Sequence, residues 1–197
     1  MILLWLTLLL GGAPAHAAVP SLAADEEAAL RAHEVVLRTL PERAPGGIRV
    51  LGIVDIQAST DAIWAALLDF PGRRVTNTAV KSVEYYKPST PTDQWVKWNI
   101  SKFGFDVTYH NHYTLERAAG RLTHDLDPSL PNDLAGSHGV YELHPSPAGA
   151  GWTRLAYECE SNFGQTLPSF VQRWMSTSGT RDFLSSMADR AEAQAAK

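Results

Sequence analysis

The sequence predicts an α+β domain in which one curved antiparallel sheet of seven strands wraps around a long C-terminal helix. Apolar and polar residues alternate through the middle of the chain, and short turn-forming stretches separate the alternating segments. A single apolar stripe at three- and four-residue spacing then runs from residue 165 to 195. Strands joined by short links form an antiparallel meander. The helix must bury its stripe, and the apolar face of the sheet is the only large partner.

The composition suits one globular domain with a hydrophobic core. The chain has 197 residues, of which 45% are hydrophobic and 19% are charged. Its net charge is −4 and it contains no basic run, which argues against nucleic acid as a partner. Cys159 is the only cysteine, so an internal disulfide and a cysteine metal site are both excluded.

Residues 1–17 are predicted to be a cleaved secretory signal peptide. The apolar run Ile2–Leu10 is too short to cross a bilayer, which takes about 20 residues, and an Ala-His-Ala cleavage pattern ends at Ala17. The prediction is therefore a periplasmic or secreted protein. The alternative is an uncleaved membrane anchor, because no Lys or Arg precedes the run. Export would place Cys159 unpaired in an oxidising space, so its thiol is expected to be buried.

Residues 18–46 are interpreted as an N-terminal helical extension, with a helix over Ser21–Leu40, packed outside a ligand-binding domain of residues 47–197. Acidic residues begin that helix and arginines end it, which suits the helix dipole. The domain is then predicted to contain a strand, two helices, six strands and one helix. The strands are predicted at Ile48–Ile56, Val80–Lys87, Gln94–Lys102, Phe105–Arg117, Arg121–Asp127, Leu134–His144 and Trp152–Ser161, with helices at 60–70, 73–78 and 165–195.

The middle of the C-terminal helix is unusually small. Thr166 is predicted to cap this helix and Pro168 to lie in its first turn. Residues 176–180 read Ser-Thr-Ser-Gly-Thr, although a helix that only fills a core would carry Leu or Ile there. Bulky ends with a narrow waist predict empty space beside the helix, and hence a ligand cavity. The alternatives are a close crossing over the sheet and a simple kink.

Three parts of the sequence carry a family resemblance: the run Ala62–Gly72 with its Trp64 and Asp-Phe-Pro, the triplet Asn132–Leu134, and Leu167-Pro168 before the last helix. Together with the order of elements, they resemble the START-like superfamily of helix-grip proteins, and most of all its bacterial polyketide-cyclase and coenzyme-Q-binding members. The resemblance implies a deep cavity between sheet and last helix, with the two short helices at its mouth. It implies no catalytic residue, because the superfamily shares no catalytic set.

Strand parity and the resemblance together predict which residues line the cavity. Tyr and Trp combine an apolar body with a polar tip, which suits the orientation of a ligand. The alternative is a fully packed core in which the same residues touch one another. Asn111, the one strongly polar residue on the inner face of its strand, is expected either to hold a ligand or to bond Tyr109, Tyr141 or the backbone. The predicted ligand-binding residues are Trp64, Phe70, Trp98, Phe105, Tyr109, Asn111, Tyr113, Tyr141, Tyr157, Phe170, Trp174 and Ser178.

Other polar residues carry weaker hypotheses. His110 and His112 have a spacing that can chelate a metal, but their strand face is predicted to be exposed, and no metal site is assigned. Arg73 and Arg74 lie near the expected mouth, where they can meet an anionic headgroup or a membrane surface; the alternative is a solvated turn. The sequence contains no G-x-S-x-G motif, so hydrolase chemistry has no support.

The sequence thus predicts an exported carrier without catalysis or cofactor. Its partner would be a hydrophobic small molecule of the lipid or isoprenoid-quinone class, with transient membrane-surface contact. One alternative is a polyketide cyclase or aromatase, which a perturbed Asp, Glu or His beside Asn111 would favour. The other is a protein-interaction module with a filled core.

Overall fold

A computed structural model describes residues 21–164 and 167–196. The predicted signal peptide and the predicted Thr166 cap lie outside the described residues. No helix within the described ranges is long and apolar enough to cross a membrane. The elements are α1 (Ala24–Arg31), β1 (Val36–Leu40), β2 (Gly47–Ile56), α2 (Thr60–Leu68), α3 (Arg73–Thr76), β3 (Val80–Tyr85), β4 (Asp93–Lys102), β5 (Phe105–Glu116), β6 (Arg121–Leu126), β7 (Gly136–Pro145), β8 (Thr153–Asn162), α4 (Ser169–Ser176) and α5 (Ser178–Ala195).

The strands form one open sheet in the order β1-β2-β8-β7-β6-β5-β4-β3, and each neighbouring pair is antiparallel. The predicted α+β helix-grip architecture is confirmed. The predicted number of strands is wrong, because the described residues contain eight strands and not seven.

The eighth strand comes from the N-terminal extension. The helix predicted over Ser21–Leu40 ends at Arg31, and after a turn in which His33 has a φ of 61°, the chain forms β1. β1 pairs with the edge of β2, where it satisfies backbone groups that would otherwise face solvent. Arg31 lies in the last turn of α1, as the dipole argument expects, but Arg38 lies in β1 and not in a helix. Arg38 instead reaches back to α1, and its Nε donates to the Glu26 carboxylate at 2.6 Å.

The strand β2 is buried on both faces. Val50 and Val54 face α5 in the main core, whereas Leu51 and Ile53 pack under α1 beside Leu30. On that outer face Arg154 joins two elements, because its Nε donates to Asp55 at 2.7 Å and its Nη atoms donate to Glu27 of α1 at 3.0 Å. The extension is thus held by apolar contacts and by an ion-pair network.

The C-terminal helix is broken, not continuous. α4 and α5 meet at Thr177, whose φ of −115° and ψ of −81° are not helical. The Thr177 hydroxyl donates to the Arg173 carbonyl at 2.7 Å, a local bond that competes with the regular helical ladder. The kink named among the sequence-based alternatives is therefore present at the narrow waist, and the structure places a cavity there as well.

The predicted alternation of β5 largely agrees with the burial of its side chains. Val107, Asn111 and Tyr113 are buried on the inner face, and Cys159 on β8 is buried as expected. His110 was expected to be exposed and is only 9% exposed. The loop after β6 covers it, since Asn132 Oδ1 accepts the His110 backbone N–H at 2.7 Å.

Candidate functional site

A cavity of about 140 Å³ lies between the junction of α4 and α5 and the inner face of the sheet. α3 and the start of β3 form one end of its wall, and strands β4 to β8 form the floor. The waist of the broken helix forms the roof through Ser176, Gly179 and Thr180. The small residues that predicted empty space therefore do border it.

The structure brings seven of the predicted residues together around this cavity. They share the aromatic or amide character that motivated the prediction, and they come from the sheet and from α4. They are Trp98, Tyr109, Asn111, Tyr113, Tyr141, Tyr157 and Trp174. Their placement around one space does not by itself test ligand binding, which stays a prediction.

Five predicted residues do not line the cavity. Trp64 and Phe70 are fully buried in the core behind it, with the Phe70 ring centroid 4.6 Å from that of Tyr113. Phe105 packs against Phe170, which is 54% exposed at the surface. Ser178 is exposed, because the break at Thr177 turns it away from the cavity towards a shallow surface groove.

Gly179 borders the cavity and points towards α4. The three atoms nearest to a Cβ added at Gly179 all belong to Trp174, namely its carbonyl oxygen at 3.3 Å and two ring atoms at 3.6 Å and 3.7 Å. No strand atom is among these near contacts. Further along α5 the opposite holds, because a Cβ at Gly52 of β2 would lie 2.3 Å from Leu184. The helix therefore packs tightly on the sheet at Gly52, whereas at Gly179 the nearest atoms are those of α4.

Arg73 lines the cavity, whereas the sequence placed it near the expected mouth, to meet an anionic headgroup or a membrane surface, with a solvated turn as the alternative. A solvated turn was one interpretation, but its side chain is only 5% exposed and lines the cavity, whereas Arg74 is exposed. One Nη donates to the Leu67 carbonyl at 2.6 Å, and the Nε has no hydrogen-bond partner among the described residues. The segment's position at the expected mouth was the only sequence feature that pointed to this role.

Three aromatic rings surround the Arg73 guanidinium. Its carbon lies 4.5 Å from the ring centroid of Phe70, 4.7 Å from that of Phe183 and 5.3 Å from that of Trp98. Such contacts stabilise a cation without neutralising it. Trp98 also donates its indole N–H to the Tyr113 hydroxyl at 3.2 Å.

A chain of polar side chains crosses the floor of the cavity. The Asn111 amide donates to His124 Nδ1 at 3.1 Å, so His124 Nε2 donates to the Tyr157 hydroxyl, also at 3.1 Å. Tyr157 stacks on Tyr141 with ring centroids 4.0 Å apart. Asn111 Oδ1 has no partner among the described residues, so this buried amide retains an acceptor beside the cavity.

Burial, not partner charge, dominates the electrostatics of these groups. Burial lowers the pKa of His124 to about 3, so the imidazole is neutral at physiological pH. Burial also raises the pKa of Cys159 to about 11 and the pKa values of Tyr109, Tyr113 and Tyr157 above their usual range. No Asp or Glu lines the cavity among the described residues.

His110 and His112, the two histidines of β5 whose spacing could chelate a metal, each contact a side chain from another part of the chain. His112 Nε2 contacts Asp93 Oδ1 at 2.8 Å, His110 contacts Asn132 at 3.2 Å, and His138 contacts Asp125 at 2.7 Å. Within residues 21–164 and 167–196, no three His, Cys, Asp or Glu side chains come together in a way that could hold a metal ion.

Comparisons with known proteins identify the fold. No family model and no curated protein sequence matches the chain. Among solved structures, a STAR-related lipid transfer protein from Xanthomonas axonopodis matches with a TM-score of 0.62 and 18% identity, covering 83% of this chain and 94% of that one. A protein of Thermus thermophilus matches with a TM-score of 0.62 and 17% identity, covering 74% of this chain and 98% of that one.

A third structure, the Zhui aromatase/cyclase from Streptomyces, has a TM-score of 0.58 and 16% identity, and the match covers 76% of this chain and 94% of that one. At such low identity, these likenesses show the fold alone. The chain has the START-like helix-grip fold.

Proposed function

We propose that this protein is a carrier that holds a hydrophobic small molecule of the lipid or isoprenoid-quinone class in the cavity between its sheet and its C-terminal helices. The fold is shared with a lipid transfer protein and with aromatase/cyclases, and these also suggest a hydrophobic ligand. The observation that carries the proposal is the gap beside Gly179, a cavity whose walls are largely aromatic. A protein-interaction module with a filled core would have no such gap.

The chemistry of the cavity favours binding over catalysis. A general acid or base works best with a pKa near the working pH. Among the cavity residues, burial moves the pKa of His124 to about 3 and that of Cys159 to about 11, which leaves both far from neutrality. The pKa values of the tyrosines are displaced upwards as well. These cavity groups are thus not tuned to exchange a proton at pH 7.

A cyclase or aromatase is the second candidate, and one observation favours it. A perturbed histidine does lie beside Asn111, which is the arrangement that such an enzyme would use to polarise a carbonyl. A neutral imidazole that is already bonded on both nitrogens supplies orientation better than it supplies proton transfer. The carrier therefore stays the first proposal.

The size of the cavity limits how the ligand sits. Pockets that enclose drug-sized ligands measure about 300–1,000 Å³, whereas this cavity measures about 140 Å³. A cavity of this size holds a group of about one aromatic ring. We infer that a longer chain enters only when α3 and the segment up to Val80 move outwards from α5.

Export and membrane contact complete the proposal. Cleavage after Ala17 would release a protein whose buried Cys159 tolerates an oxidising compartment. Phe103 and Phe170 are each 54% exposed, and Lys102 lies 4.9 Å from the Trp174 ring beside them. An aromatic patch with a cation suits transient contact with an anionic lipid surface. Intact mass of the protein recovered from its own host tests the cleavage, since retention of residues 1–17 contradicts it.

The carrier proposal is tested by filling the gap. In Gly179→Leu the new side chain is added at the cavity wall against the Trp174 ring, while in the matched control Ser178→Leu it is added at the exposed neighbour. The neutral fluorescent probe N-phenyl-1-naphthylamine is expected to bind the wild type and Ser178→Leu, and to bind Gly179→Leu at least tenfold more weakly, a loss of about 1.4 kcal/mol. Leucine is a better helix former than glycine, so folding is expected to persist.

Two outcomes overturn the carrier. The first is a wild-type protein that does not bind the probe and that shows no co-purified small molecule in native mass spectrometry after detergent-free purification. The second is equal loss of binding in both variants, which would place the probe on the surface. Turnover of a polyketide substrate that His124→Gln abolishes would favour the enzyme instead.

A further inference from the structure

The cavity contains a buried cation without a counter-charge. Arg73 is 5% exposed, and its Nη bond goes to a neutral carbonyl, that of Leu67. No ion pair joins Arg73 to an acid within the described ranges. Asp69, four residues earlier, is paired with Arg190 of α5. A buried charge without a partner is costly, so it calls for an explanation.

Aromatic contacts explain only part of this arrangement. The rings of Phe70, Phe183 and Trp98 stabilise the guanidinium, but they accept none of its hydrogen bonds. Arginine has five N–H donors, and the Nε of Arg73 has no acceptor among the described residues. The rings also hold the group at the cavity, since Arg73 is part of the cavity wall.

The rest of the lining complements an anion. Arg73 is the one formally charged residue that the described chain contributes to the cavity wall, and no carboxylate competes for it. The Tyr113 hydroxyl lies close enough to both Arg73 and Asn111 for each to lower its pKa, so the guanidinium and the amide border the same point. His124, with its pKa lowered to about 3 by burial, adds no second positive charge at neutral pH.

Resting on the proposed function, we propose that Arg73 binds the head group of the cargo, and that the cargo is an amphiphile with a single negative charge, such as a carboxylate. A monoanion neutralises the one guanidinium, whereas a dianion would leave a buried negative charge. The planar guanidinium also matches a carboxylate in geometry. An acidic lipid thereby fits this cavity better than a neutral quinone.

Two probes with one skeleton test this preference. 1-Anilinonaphthalene-8-sulfonate is N-phenyl-1-naphthylamine with an added sulfonate, so the ratio of their dissociation constants isolates the charge. The wild type is expected to bind the anionic probe roughly tenfold more tightly, and Arg73→Gln is expected to reduce that ratio to about one. Arg74→Gln, which removes an exposed charge from the same helix, is the matched control and is expected to keep the wild-type ratio.

Competition distinguishes a lipid head group from a free anion. Dodecanoate is expected to displace the anionic probe from the wild type at lower concentration than dodecanol, while inorganic phosphate at millimolar concentration displaces none. Displacement by phosphate alone would make Arg73 a simple anion site and would overturn the amphiphile. Arg73→Lys keeps a charge and is expected to retain part of the preference if Arg73→Gln is unstable.

Binding measurements on the wild type alone also test the proposal. Equal affinity for both probes, with dodecanol competing as well as dodecanoate, overturns the anionic head group and leaves the carrier intact. Binding of neither probe, together with no co-purified small molecule in native mass spectrometry, overturns the carrier itself. An unchanged ratio in a folded Arg73→Gln, checked by circular dichroism, assigns the preference to another residue and contradicts the role of Arg73.

Discussion

At the scale of single residues, the lack of a side chain at Gly139 leaves room for the imidazole of His124. The two residues are paired across β6 and β7, and a Cβ at Gly139 would lie 2.2 Å from His124 Nε2. Gly139→Ala therefore must displace the imidazole and break its bond to Tyr157. We expect a loss of about 1–3 kcal/mol in the free energy of unfolding, measured by urea denaturation.

The control for this change lies on the same strand. A Cβ at Gly136 would meet Asn162 at 3.6 Å, which is an ordinary contact, so Gly136→Ala is expected to change stability by less than about 0.5 kcal/mol. Equal effects of the two substitutions would show that strand propensity, not the clash with His124, sets the cost.

The burial of His124 also predicts a pH dependence of stability. Its pKa falls from an ordinary 6.5 to about 3 on folding, so the unfolded chain binds the extra proton between these values. Stability is therefore full above pH 6.5 and falls as the pH drops towards 3, by at most about 1.4 kcal/mol per pH unit. His124→Gln is expected to flatten the slope between pH 6.5 and 5. An unchanged slope in His124→Gln would contradict this account.

The burial of single residues was predicted correctly from the sequence where strand geometry alone decides which way a side chain points. Alternation along β5 placed Asn111 and Tyr113 inside because neighbouring side chains on a strand point to opposite faces. The same rule failed for His110, since the loop containing Asn132 covers the outer face there and no local pattern reports it. Arg73 was not assigned to the cavity because its burial depends on rings from three separate parts of the chain.

At the scale of elements, α1 is attached to the sheet through Arg154. Glu27 accepts two bonds from that guanidinium, and these bonds hold the Glu27 pKa below its ordinary value of 4.5. Glu27→Gln is expected to cost about 1 kcal/mol, since Asp55 still pairs with Arg154 and Glu27 is partly solvated. The measurement is amide hydrogen exchange, which is expected to become faster in α1 and β1 alone. Glu34→Gln, at an exposed position nearby, is the control.

Acidic pH is also expected to weaken the attachment of α1 to the sheet. A carboxyl whose pKa is lowered by folding stabilises the native state above its unfolded pKa and loses that effect as the pH falls towards the folded value. Exchange in α1 is expected to accelerate below about pH 4.5 in the wild type and less steeply in Glu27→Gln. Identical acid profiles would remove Glu27 from the attachment.

Element prediction failed where two structures share one sequence pattern. Residues 21–40 carry acids before arginines, which suits a helix dipole but equally suits a helix and a strand that exchange an ion pair, as Glu26 and Arg38 do. The C-terminal apolar stripe runs through both α4 and α5, so periodicity alone did not reveal the break at Thr177.

At the scale of the whole molecule, the small residues 176–180 predicted that a cavity lies beside the helix but not how large the cavity is. Small residues at Ser176 and Gly179 leave room beside a helix, and the described structure contains that room. Its volume depends on how far α3 and the start of β3 close over the sheet, which is a property of the assembled fold and not of any one segment.

Closure of the mouth leads to the last prediction. The cavity of about 140 Å³ is smaller than the pockets of about 300–1,000 Å³ that enclose drug-sized ligands, so under the carrier proposal the bound state requires outward movement of residues 70–80, which also contribute Arg73 and Val80 to the wall. A ligand that then packs against residues 70–80 suppresses the local opening of this segment. The expected factor is about one plus the ratio of the free ligand concentration to its dissociation constant, which is roughly tenfold when that concentration is ten times the dissociation constant.

Amide hydrogen exchange in the presence of N-phenyl-1-naphthylamine tests this movement. Exchange is expected to slow in residues 70–80 and at the α4–α5 junction and to stay unchanged in α1. Gly179→Leu, in which the gap is filled, should show no such slowing at the same probe concentration. Protection confined to α1, or equal protection in both proteins, would mean that cargo does not enter beneath α3.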